Sequence, residues 1–146
     1  MLKAIIILVN IIMDLNMNIN INLNKIQKRF ALFLGMCIPI RLALTYIAKV
    51  MPVKFLPLLG IPYLLFGLGI IYIYMTNSRI RGAETMGDKI WWNALRPVHG
   101  LLFLVFAMSA FFRNPDSWIL LLIDTIIGFV AFWTYHVSVG NIAKLW

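Results

Sequence analysis

Acidic residues are scarce in this chain: there are five among 146, against thirteen lysines and arginines. Only 12% of the residues are charged, while 62% are hydrophobic and the mean hydropathy is +0.91. A soluble domain must wet its exterior, so so little charge argues against one. One cysteine, Cys37, excludes an internal disulfide and reads as a small buried hydrophobe. Familiar catalytic signatures are missing too. No HExxH, no CxxC, no phosphate-cradling glycine loop and no serine elbow with ordered His and Asp occurs. No metal site, no cofactor and no enzymatic activity is therefore expected. The net charge of +8 does not point to nucleic acid, because the basic residues punctuate apolar runs instead of lining one face.

What the chain has in abundance is long apolar runs. Residues 30–48, 55–76, 94–112 and 118–136 each reach or exceed 19 residues, about 28 Å at the helical rise and enough to cross a membrane. The run from Phe55 to Thr76 holds no charge at all. Lipid demands that backbone polar groups be satisfied internally, and no barrel-like alternation is visible. The fold class expected is all-α, a transmembrane bundle of four spans with an N-terminal leader outside it. That leader, residues 1–29, starts like a signal peptide, but Ala4 to Met13 is too short to span and no cleavage site follows. Its Asn/Ile alternation suits a polar leader lying on the membrane surface. Residues 137–146 form a short basic tail.

Basic residues set the expected orientation. Lys3, Lys25, Lys28 and Arg29 lie in the leader, Arg79, Arg81, Lys89 and Arg96 in or beside the long middle loop, and Lys144 in the tail. Only Lys49, Lys54 and Arg113 fall in the two short connections. Both termini and the middle loop should face the cytoplasm.

Ionisable groups at membrane depth are costly, so each is a candidate for function. Arg41 and Asp124 sit at depths that agree within about 2 Å, given the antiparallel sense of the first and fourth spans. They are expected to form an intramembrane ion pair, a clamp between helices, with a proton or ion pathway as the weaker reading. Cys37, Arg41, Thr45 and Lys49 recur every four residues and give the first helix one polar stripe. His99 and His136 fall near the cytoplasmic face of one hairpin and could form a ligand pair for haem or metal. Their offset of about five residues is awkward for that, and interfacial hydrogen bonding is the plainer expectation. Glu84 and Asp88, four apart in the middle loop, read as solvating acids.

"KIWWNALRPVHG" combines Lys89, Trp91, Trp92, Arg96 and His99 at the mouth of the third span. Paired tryptophans with flanking cations mark a headgroup-level belt, and Pro97 suits a first helical turn. The expected role is an interfacial entrance that binds an anionic lipid headgroup.

Together "CIPIRLALTYIA", "YMTNSRIRGAETMGDKIWWNALRPVHGLLF" and "LLIDTIIGFVAFWTYH" resemble small multi-pass membrane proteins of the giant viruses, mimivirus-like members among them. The resemblance covers residues 37 to about 136. It implies a virion or host membrane and no known activity. It also implies a shared pattern of Arg41, Arg79, Gly82, Glu84, Gly87, Trp91, Trp92, Arg96, His99 and Asp124. The function expected is structural or lipid-organising, without catalysis. The partners expected are anionic membrane lipids, with a homo-oligomer or viral membrane proteins besides. A small channel or transporter using Arg41 and Asp124 is the alternative, and a haem- or quinone-binding subunit using His99 and His136 the second.

Overall fold

The computed structural model describes residues 24–82 and 85–146. The leader's first 23 residues and Glu84 lie outside the described residues. Four helices are long and apolar enough to cross a membrane, which supports a multi-pass integral membrane protein. α1 runs Lys25–Val50, α2 Leu56–Thr76, α3 Arg96–Phe111 and α4 Trp118–Ser138. Among the described residues there is no β-strand, only one isolated antiparallel bridge between Arg81 and Lys89 in the long loop.

The leader expected through residue 29 is shorter than that on its described side. Asn24 caps α1 by accepting from the Gln27 amide at 2.8 Å, while the Gln27 side chain accepts from the Asn24 amide at 2.9 Å. This reciprocal pair satisfies two amides that the first turn would otherwise leave bare. Lys25 to Arg29 are thus the first turns of α1 and not part of a separate leader.

α1 contains a π-helical turn, Phe33–Cys37, in which the Ile38 amide reaches the Phe33 carbonyl. It lies just ahead of Pro39, whose missing N–H already interrupts the ordinary ladder. Its effect is rotational. Arg29, Phe33, Cys37 and Arg41 recur every four residues, a spacing that drifts by roughly 120° over three steps at 3.6 residues per turn. The wider π turn takes back part of that drift, and all four side chains line one cavity.

Contacts run from α2 to α3, from α3 to α4 and from α4 to α1. α2 and α3 approach closely because glycines face each other. A Cβ at Gly67 would stand 2.9 Å from the Gly100 carbonyl oxygen and 2.8 Å from Leu104 Cδ2. Gly60 is less tight, a Cβ there standing 3.2 Å from the Ala107 carbonyl oxygen and 3.3 Å from Ala110 Cβ. Small residues permit this because helix association in lipid relies on close van der Waals packing. An apolar cluster of Ala48, Leu56, Tyr63, Phe103, Phe106, Ala107, Ala110 and Leu121 fills the bundle from its middle towards the short connections.

At the opposite end the described termini and the long loop meet. Asn24 Nδ2 donates to the Lys144 carbonyl at 2.9 Å, and Gln27 Nε2 to the Leu145 carbonyl at 3.0 Å. Within the short basic tail a 3-10 turn, Ile142–Lys144, is latched onto the start of α1. Residues 24 and 144 therefore share one side of the bundle, as an even number of spans requires.

Candidate functional site

Asp124 sits on the inner face of α4, 2% exposed. Its Oδ2 accepts from Arg41 Nη1 at 2.7 Å, and its Oδ1 is bonded to His99 Nδ1. Arg41 and Asp124, expected to pair, are thus brought together, and His99 joins them from α3. With Nδ1–H donating to the carboxylate, the Nε2 edge of His99 is left for the cavity. Thr45, one turn beyond Arg41, donates back to the Arg41 carbonyl at 2.8 Å. Gly128 makes room for the cluster: a Cβ there would lie 3.3 Å from Arg41 Nη1 and 3.6 Å from His99 Cε1. The polar stripe of α1 ends at Lys49, whose ammonium stands 4.6 Å above the Trp118 ring near the far end of the bundle.

Beside this cluster lies a cavity of about 220 Å³. Leu32, Phe33, Ile70, Leu95 and Phe132 give it apolar walls, and Trp91 and Trp92 close it from the loop side. Arg41 and His99 mark its deep end, and Arg29, Thr85 and His136 line it further along α1, the loop and α4. Two guanidinium groups face this space, and among the described residues none of its lining is a carboxylate. The acids stand behind their partners: Asp124 behind Arg41 and His99, Asp88 outside Arg29.

Arg29 was read from sequence only as topogenic charge, yet it organises this end. Its Nη2 donates to the Thr85 carbonyl at 2.7 Å and pairs with Asp88. Asp88, read as a solvating acid, is therefore the loop's anchor on α1. The Gly82 carbonyl receives the Thr85 amide, the Gly87 amide and the Thr85 hydroxyl, while Gly87 adopts φ +82°, which favours glycine. The Arg29 contacts join residues 56 and 59 apart, a distance that local periodicity does not register.

The interfacial group is rearranged relative to the sequence expectation. Arg96 is 2% exposed, donating to the Arg79 carbonyl at 2.8 Å and to Asn93 Oδ1 at 2.7 Å, beneath the Trp92 ring. It is a staple between the loop and α3 and no headgroup-level cation, because a guanidinium carries enough donors to satisfy several loop acceptors at once. Trp91 is stacked on Tyr135 with centroids 4.6 Å apart, turned inward over the cavity. His99 is buried among helices. Of the five, Lys89 stays exposed.

His99 and His136 line the same cavity but cannot share one ion. His99 is held at Asp124, and His136 stands twelve positions further along α4, about 18 Å of helix. Two imidazoles on one metal need nitrogens about 4 Å apart. No cluster of three or more His, Cys, Asp or Glu suited to a metal occurs among the described residues. His136 is fully buried, packed against Phe30, Phe132 and Trp91, with Nδ1 2.9 Å from the Asn141 amide nitrogen.

Compared with known proteins, the chain matches no family model, no curated protein and no solved structure.

Proposed function

We propose that this chain is a multi-pass membrane protein that seats an anionic lipid between α1, α4 and the long loop, organising lipid without transforming it. The observation that carries this reading is the cavity itself: apolar walls, two arginines facing inward, and no carboxylate among the described residues of the lining. Such a space favours an amphiphile with a negatively charged head, since field lines from the guanidinium groups concentrate in a low-dielectric cleft. The lipid expected at the surface of "KIWWNALRPVHG" moves inward with its tryptophans. Asp124, the carboxylate a proton-transfer site would deploy, has both oxygens engaged by Arg41 and His99, which favours a seat over a reaction centre. A channel through Arg41 and Asp124 has less support, because Tyr63, Phe106, Ala107, Ala110 and Leu121 pack apolar atoms in the same bundle beyond that pair.

The balance of lysines and arginines supports a cytoplasmic position for the cavity end. The resemblance of residues 37 to about 136 to giant-virus membrane proteins supports a virion or host membrane as its location.

The test uses the full chain in dodecyl maltoside, delipidated and offered equal phosphatidylglycerol and phosphatidylcholine of identical acyl chains. Saturable retention of phosphatidylglycerol near one per chain, several-fold above phosphatidylcholine, is expected. Equal retention of both lipids would remove the basis for the reading. A haem absorption band in the purified chain would replace it.

A further inference from the structure

Two buried donors along the cavity have no hydrogen-bond partner among the described residues: Arg29 Nε and His136 Nε2. His136 is fully buried, and both residues line the cavity. Polar atoms so enclosed are nearly always satisfied, because a bare one has lost its water without gaining a partner. Two on the same cavity is a pattern that a bound group would explain. The hydrogen-bond chemistry specifies that group. The Asn141 amide nitrogen donates to His136 Nδ1, so Nε2 carries the hydrogen and can only donate. Arg29 Nε–H likewise only donates.

We propose that Arg29 Nε and His136 Nε2 form a phosphoryl-oxygen subsite at one end of the cavity, taking the phosphodiester of the seated lipid. This rests on the lipid reading above and names the headgroup. Arg29 Nη2 is already committed to Thr85 and Asp88, so the planar two-point grip that suits a carboxylate is not free. The available donors come from two helices, α1 and α4, and a tetrahedral phosphoryl group presents oxygens in such diverging directions. Asp88, half exposed outside Arg29, offsets part of its charge, which disfavours a doubly charged head.

The probe is phosphatidylglycerol with brominated acyl chains, which quenches Trp91 and Trp92 when the cavity is occupied. Displacement by unlabelled phosphatidylglycerol, oleate or inorganic phosphate identifies the head. Arg29→Lys keeps the charge facing Asp88 but loses Nε–H, and His136→Phe keeps ring volume but loses Nε2–H. Each should weaken binding of the brominated lipid roughly tenfold, the loss of one hydrogen bond to a charged group. Oleate should displace it far less well than the phosphodiester. In the unmodified chain labelled with ¹⁵N-histidine, the His136 Nε2–H resonance should shift with phosphatidylglycerol, a readout that survives if a variant does not fold. Saturable lipid binding unchanged in both variants, or with an unmoved Nε2–H resonance, overturns the subsite and leaves the lipid reading standing. No saturable binding by the unmodified chain overturns both. Inorganic phosphate that shifts the resonance and displaces the lipid as well as the unlabelled lipid does keeps the phosphoryl subsite and makes free phosphate its ligand.

Discussion

The two ends of this bundle are built on different physics. Towards the short connections, Ala48, Leu56, Phe106, Ala110 and Leu121 belong to one apolar cluster, and Gly60 lets α2 sit directly against α3. Towards the long loop, cross-element bonds do the holding: Asn24 to Lys144, Gln27 to Leu145, Arg29 to Thr85 and Asp88, Asn141 to His136. Lipid chains are as apolar as leucine, so burial alone gives helices in a membrane little reason to prefer one another. Shape does that work at the closed end and directional polar contacts do it at the open end. A cavity is tolerable only where the second kind of bond keeps the walls apart. The Asp124 cluster lies at the border between the two regimes.

The largest expected effect comes from breaking that border. Asp124→Leu strands the Arg41 guanidinium, and Arg41→Leu strands the carboxylate. Each should lower stability by about 3–5 kcal/mol, the cost of an uncompensated buried charge. Reversing both charges together should cost less than the two single reversals added, as read from folded fraction across an SDS titration. Additive losses across that cycle would mean the pair carries no coupling.

The closed end should respond less, and through shape. Gly60→Ala places a methyl 3.1 Å from Phe111, 3.2 Å from the Ala107 carbonyl oxygen and 3.3 Å from Ala110, so α2 and α3 must ease apart. About 1–3 kcal/mol of lost stability is expected, with brominated-lipid binding at the other end retained. A thermal unfolding midpoint equal to that of the unmodified chain would show that the glycine contact is not limiting.

The smallest effect sharpens the open end. Lys89→Gln alters an exposed cation and should leave stability within about 0.5 kcal/mol of the unmodified chain. Arg96→Gln, from the same stretch, removes the staple to Arg79 and Asn93 and should cost about 1–3 kcal/mol. Equal stability of the two variants, measured in parallel SDS titrations, would return Arg96 to the headgroup role that the sequence suggests for it.

Apolar run length by itself determined four spans, because 1.5 Å per residue against a fixed membrane thickness admits few alternatives. Depth counting brought Arg41 and Asp124 to one level for the same reason. Rotation about each helix was beyond such counting. The π turn before Pro39 aligns Arg29 with Arg41, and that alignment depends on a single extra residue in a turn. Which way Trp91, Trp92 and Arg96 face also lay outside the sequence, since a belt tryptophan and a cavity tryptophan have the same composition and spacing. Tertiary structure decided it through contacts between residues far apart in the chain: Tyr135 stacks on Trp91, Arg79 offers its carbonyl to Arg96, and Asp88 anchors the loop to Arg29. Length along the membrane normal is a one-dimensional property that a sequence carries directly, whereas the direction in which a side chain points is fixed only when its neighbours arrive.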